Sequence, residues 1–144
     1  MGIKKVVASL VRKHGTNNPF KLCVLLNIAV LYNDLGSVRG IYQYKYRKKI
    51  IHINQNLPEI DRRQVCAHEL GHAILHRRVN TIFLDFYTML LSDKLEIEAN
   101  RFAAELLISD SDLEDPIFYE GLHIKQVAAA LEVSELLLEY KLKW

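Results

Sequence analysis

Two cysteines, Cys23 and Cys66, are too few for a disulfide framework and point to a reducing compartment. No apolar run approaches the roughly 18 residues that a membrane-crossing helix needs. The N-terminus MGIKKVVASLVRKHG is basic and briefly apolar, but it lacks a signal-peptide cleavage pattern and reads as an amphipathic helix. Its sixth residue is Val6 rather than Ser or Thr, so the N-myristoylation pattern is missing as well. A soluble, cytoplasmic protein with no membrane partner is expected. Internal repeats and low-complexity segments are absent. Net charge is also scarce, at +2, but its distribution is uneven. Residues 1–63 carry 12 Lys and Arg against 3 Asp and Glu, and residues 64–144 carry 7 against 14. The densest basic patch, Lys45, Arg47, Lys48 and Lys49, reads as a solvated hairpin rim. Docking of an acidic partner and nucleic-acid binding are its functional alternatives, and direct nucleic-acid binding is not expected.

What is present is enough for one packed core. Half of the 144 residues are hydrophobic, which suits a single domain without covalent staples. Val6, Val7, Leu10 and Val11 recur at helical spacing over residues 3–13, and His14-Gly15 stops that helix. Thr16-Asn17-Asn18-Pro19 is a cap followed by a helix-starting proline, predicting a second helix to about Leu26. Ile28–Tyr32 reads as a strand. Arg39–Lys45 and Lys48–Asn54 flank Tyr46-Arg47 as a hairpin. The fold class expected is α+β: a small three-stranded antiparallel or mixed sheet packed on a helical layer.

The chemistry concentrates in His68-Glu69-Leu70-Gly71-His72-Ala73-Ile74-Leu75-His76. Residues i and i+4 of a helix lie one turn apart on one face. The HExxH spacing therefore lets His68 and His72 offer two imidazole nitrogens to one zinc ion. Glu69 stands beside that ion, where its carboxylate can take a proton from water. A helix starting at Pro58, with acids in its first turns, carries the motif. Val65, His68, His72 and His76 project to one face of it, and Ala67, Leu70, Gly71 and Ile74 line the opposite one. Such a helix is expected to be buried behind and open to a cleft in front. Cys66 projects away from the histidines and reads as a core thiol.

A catalytic zinc site takes three protein ligands and keeps one position open. His76 lies eight residues beyond His68, about 12 Å along the axis. It reads as an end-of-helix cation instead. Leu75 and Arg78 stand where the longer metzincin pattern needs glycine and histidine. A carboxylate from the periodic segment Lys94–Ile108 is the better candidate. Leu95, Ala99, Phe102, Ala103 and Leu106 form its apolar stripe, which Glu96 and Glu98 border on either side. Ser92 or Asp93 would cap this helix with Glu96 as the capping-box partner. Periodicity alone leaves Glu96, Glu98 and Glu105 open, with Glu98 favoured.

The pair HELGHAILH at 68–76 and EIEANRFAAELLI at 96–108 resembles the ImmA/IrrE metallopeptidases of bacteria, phages and mobile elements. The passages KKIIHINQNLPEIDRRQVCAHELGH and GTNNPFKLCVLLNIAV extend the resemblance over residues 5 to 110 or so. It implies a gluzincin-like zinc site with Glu98 as third ligand and Glu69 as general base. It also implies a substrate, a helix-turn-helix transcriptional repressor whose cleavage relieves repression of a phage or mobile element. Ile108-Ser109 stands where the family often has Met-Pro, a departure that bears on the helix boundary. The rival reading is a non-catalytic metal-binding antirepressor that sequesters its repressor.

Three further features complete the reading. The strand Lys49–Asn54 leads into the motif helix. As an edge strand it would bind substrate by strand addition through Ile51, His52 and Ile53. His52, Tyr87 and His123 are minor candidates for oxyanion stabilisation. The apolar linker Arg77–Leu91 reads as core packing, with a cleft cover as its alternative. Residues 122–140 read as two helices broken at Glu132-Val133 and capped by Ser134. They resemble half of a helix-turn-helix, but are too acidic for DNA. The organisation expected is one metallopeptidase domain over 1–144, with its core at about 5–110 and a closing helical element at about 111–142.

Overall fold

A computed structural model describes residues 2–81, 89–114 and 123–143, with the side chains of 89–91 also left aside. Helices α1 (Ile3–His14) and α2 (Pro19–Leu25) lead into strand β1 (Ala29–Asn33) and the hairpin β2 (Gly40–Lys45) and β3 (Lys48–Asn54). The long helices α3 (Glu59–Leu75) and α4 (Met89–Leu107) follow, and then a 3-10 turn at Asp112–Glu114. The short helices α5 (Ile124–Ala130) and α6 (Glu135–Lys143) close the described chain. The α+β class holds, and the sheet is mixed.

Local chemistry explains most boundaries. Gly15 ends α1 in the left-handed conformation (φ 70°), its N–H donating to the Val11 carbonyl at 2.7 Å. Asn18 caps α2 by accepting from the N–H groups of Phe20 and Lys21, with Pro19 in the first turn. Tyr46 and Arg47 both take positive φ (53° and 61°). That is the twist a two-residue hairpin turn needs, adopted here without glycine. The basic residues Lys45, Arg47 and Lys48 project from this turn as exposed side chains. Lys49 folds back to donate to the Ala73 carbonyl at 2.8 Å, tying the sheet to α3.

Strand order is β1-β3-β2, with β3 parallel to β1 and antiparallel to β2. This corrects one expectation. β3 is the central strand, so both of its edges are already hydrogen-bonded and it has no free ladder for a substrate. Ile51 and Ile53 are fully buried in the core, and His52 bonds Asn33 and Gln43 on the neighbouring strands. Sequence pattern reveals strands but not their lateral order.

The core lies where α3 is sandwiched between the sheet and α4, with α2 also against α3. From Val65 to Ala73 only His68 of α3 keeps partial exposure. The helix front is thus more enclosed than its two-faced pattern suggests, because β2 crosses it. Two glycines make the enclosure possible. A Cβ on Gly40 of β2 would stand 2.4 Å from Val65 Cγ1 and 3.2 Å from Glu69 Cγ. A Cβ on Gly71 would stand 3.0 Å from Phe102 Cβ and 3.2 Å from both Cα and O of Ala99. Here α3 and α4 touch backbone to backbone. Cys23 and Cys66 are free, fully buried thiols with their sulfurs 3.9 Å apart, part of this core.

Gly71→Val should force the two helices apart. Overpacking of this kind costs about 1–3 kcal/mol, to be read as a lower urea midpoint at unchanged m-value. An unchanged midpoint would show that the close contact carries no weight.

Candidate metal centre

Helix α3 sets His68, Glu69 and His72 on adjoining positions, and their ligand-capable atoms all lie within 4.8 Å of one another. The imidazole planes of His68 and His72 meet edge to face, with centroids 5.0 Å apart. Helix α4 brings Glu96 against both. Its Oε2 is 3.0 Å from Nε2 of His68, and its Oε1 is 2.8 Å from Nε2 of His72. One turn further along α4, Asn100 Oδ1 meets Nδ1 of His68 at 2.8 Å.

Glu98 is elsewhere. Its Oε1 is 3.1 Å from Nε2 of His76, and Nδ1 of His76 is 3.0 Å from Nδ1 of His72. The carboxylate facing the paired imidazoles is therefore Glu96, not the Glu98 favoured by spacing and implied by resemblance. The reason lies in where α4 begins. It starts at Met89, so Ser92 and Asp93 lie inside the helix rather than at its cap. Glu96 has no capping duty and is free to turn towards α3. Glu105 is occupied as well, accepting from Lys141 at 2.8 Å. His76 is the C-cap residue of α3, and it belongs to a hydrogen-bonded chain rather than standing as a simple terminal cation.

A cleft of about 900 Å³ opens onto His68, Glu69, Glu96 and Asn100. One wall is the entry to β2, residues 37–41, and the other includes Ser134, Leu136 and Leu137. The closing helices thus help shape the site. Gln64 holds them by exchanging two bonds with Ser134, at 2.8 and 2.9 Å. The edge strand beside the cleft is β2, and part of its outer edge is already taken. Thr81 Oγ1 accepts from the Tyr42 N–H at 2.8 Å, and Asn80 Oδ1 accepts from the Tyr44 N–H at 2.6 Å. Of the oxyanion candidates, His52 is committed within the sheet, and His123 is exposed at the N-cap position of α5, its backbone N–H donating to Gln126 Oε1. Tyr87 and linker residues 82–88 lie outside the described residues.

A sequence profile described as the IrrE N-terminal-like domain, Peptidase_M78, matches residues 23–143. The chain belongs to this family. It is 40 % identical to "Metallopeptidase ImmA" of Bacillus subtilis (strain 168) over 144 aligned residues, covering 98 % of this chain and 84 % of the relative. It is 47 % identical to "Uncharacterized immunity region protein 2" of Bacillus phage phi105 over 109 residues, covering 75 % of this chain and 69 % of that protein. The protein is accordingly a metalloprotease of the M78 family.

The donor set fits a divalent ion. Asn100 Oδ1 can only accept, so Nδ1 of His68 carries a proton, and in the neutral ring Nε2 offers a lone pair. Glu98 accepts from Nε2–H of His76, which leaves Nδ1 of His76 to accept from Nδ1–H of His72. Nε2 of His72 is then bare too. In their neutral forms both nitrogens turn lone pairs towards the same carboxylate, so either a proton on each ring or a metal cation between them joins the three groups. Two donors on one tetrahedral zinc stand about 3.3 Å apart, so the observed 2.8 and 3.0 Å need to open by only tenths of an ångström.

The electrostatics differ from group to group. Burial works to raise the Glu96 carboxyl, but the two imidazoles outweigh it and hold it well below the usual carboxylate range. At His72 burial dominates and pushes the imidazole down, favouring the neutral form that a metal needs. At His68 burial opposes protonation, but the adjacent carboxylates prevail and raise it. Glu69, 3 % exposed, is pushed up to about 7 by burial, with His68 opposing and Glu96 reinforcing the rise.

That last shift gives a pH dependence. Below about 4.5, Glu69 is protonated in both folded and unfolded chains and contributes nothing. Between about 4.5 and 7 the unfolded chain releases the proton first, so metal-free stability falls as pH rises. Above 7 the loss is complete, on the order of 3 kcal/mol. Urea titrations in chelator should show wild type losing stability relative to Glu69→Gln across this window. Parallel curves would refute the assignment.

Proposed function

We propose that the protein is a zinc endopeptidase whose substrate is a helix-turn-helix transcriptional repressor. In this reading His68, His72 and Glu96 hold the metal and Glu69 is the general base. The observation that carries it is the meeting of the Glu96 carboxylate with the Nε2 atoms of His68 and His72, with the buried carboxyl of Glu69 beside them. Two nitrogens and one carboxylate are the donor types that zinc takes in catalytic sites.

A bound zinc ion supplies Lewis-acid polarisation of the scissile carbonyl and makes water acidic enough to lose a proton near neutrality. The protein's own groups do the rest. A carboxylate oxygen of Glu69 accepts the proton of the attacking water and returns it to the departing amide nitrogen. A carboxyl poised near 7 suits both halves of that task. Asn100 fixes the ring of His68, and the cleft beside residues 37–41 receives the peptide. The repressor substrate is supported by the resemblance to mobile-element ImmA/IrrE proteins and by a phage relative named for its immunity region. No described helix is long and apolar enough to cross a membrane, in keeping with a partner met in solution.

Co-expression with a helix-turn-helix repressor found in the same gene neighbourhood should yield cleaved repressor. Glu69→Gln should reduce cleavage by about 10²–10⁴-fold while retaining one zinc per chain by elemental analysis. Glu96→Ala should lose the zinc. If Glu69→Gln still relieves repression, sequestration rather than hydrolysis is the mechanism.

A further inference from the structure

HExxH and one carboxylate account for the donors, but His76 and Glu98 remain unexplained. Both are committed to a single hydrogen-bonded line that ends on a donor. Glu98 Oε1 accepts from Nε2–H of His76 at 3.1 Å, and Nδ1 of His76 accepts from Nδ1–H of His72 at 3.0 Å. The rings of His72 and His76 lie 5.2 Å apart. The His76 side chain is 7 % exposed and that of Glu98 33 %, so the line is largely shielded from water that would compete for it. His68 has a different support, the neutral amide of Asn100.

We infer that Glu98 and His76 are positioning residues for the metal. Together they form a carboxylate–imidazole relay that fixes the Nδ1–H tautomer and ring orientation of His72 and makes its Nε2 a stronger donor. The inference rests on the ligand assignment above. Outer-shell carboxylates act in this way on metal-bound histidines, and losing one typically costs 10–100-fold in metal affinity. The relay differs in carrying its carboxylate through a second imidazole. A helix places that imidazole four residues beyond the ligand, on the same face. The pieces act in series: without His76, Glu98 has nothing to orient.

The test is zinc affinity of the full chain by chelator competition, with proton and nitrogen NMR of the His72 ring in the zinc-loaded protein. Glu98→Gln and His76→Ala should each weaken zinc by 10–100-fold. The double variant should be no weaker than His76→Ala alone, because the second change removes a partner already idle. Glu98→Asp should recover much of the affinity. The Nδ1–H resonance of His72 should shift in both single variants and move back in Glu98→Asp. Undiminished affinity and an unmoved resonance in Glu98→Gln would overturn the relay. Two zinc ions per wild-type chain would also overturn it, by making His76 and Glu98 ligands themselves. A wild type that takes up no zinc would overturn the ligand assignment and the relay together. Tight zinc in wild type, lost in Glu96→Ala but intact in Glu98→Gln, would remove the relay alone.

Discussion

The missing side chain at Gly71 lets the backbone of α4 lie against α3, with the sites of Ala99 atoms only 3.2 Å from where a Cβ would be. That contact sets the axial register between the two helices. Register in turn decides which carboxylate of α4 meets the imidazoles. Glu96 and Asn100, one turn apart, both land on the motif face. Glu98, two residues from each, lands beside His76. Small residues at a helix crossing usually serve packing. Here the same packing brings Glu96 and Asn100 against His68 and His72.

Enclosure follows from the same geometry. The sheet covers α3 on another side through Gly40, whose Cβ would collide with Val65 and crowd Glu69. A carboxyl so enclosed is reluctant to ionise, and that reluctance is what raises Glu69 towards neutrality. The raised value therefore comes first from packing, with the neighbouring Glu96 carboxylate reinforcing it. In the proposed reaction it lets Glu69 both accept and return a proton within one pH range. The cost to the metal-free fold is the counterpart of that chemistry.

The closing helices add the remaining wall. Ser134 caps α6 and is clamped by Gln64 of α3. Lys141 of α6, almost fully buried, reaches Glu105 and Asp110, while Lys4 of α1 also reaches Asp110. A buried lysine leaves an uncompensated charge if its partners go. The network thus holds α6 against α4 in one arrangement, and the cleft wall at Leu136 and Leu137 inherits that rigidity.

Sequence alone determined the pieces governed by short-range rules. The i, i+4 histidines follow from helix pitch, the caps at Asn18 and Gly15 from backbone chemistry, and the hairpin from two runs separated by Tyr46-Arg47. The M78 family character was legible in HELGHAILH and EIEANRFAAELLI for the same reason, because motif spacing is a local property. Tertiary structure decided what depends on lateral placement. It made β3 central, which removed Ile51, His52 and Ile53 from any strand-addition role. It began α4 at Met89, which freed Glu96 from a cap. It chose Glu96 over Glu98 against the histidines. Periodicity reports which face a residue occupies but not what lies opposite, since that depends on how two elements slide and pack in space.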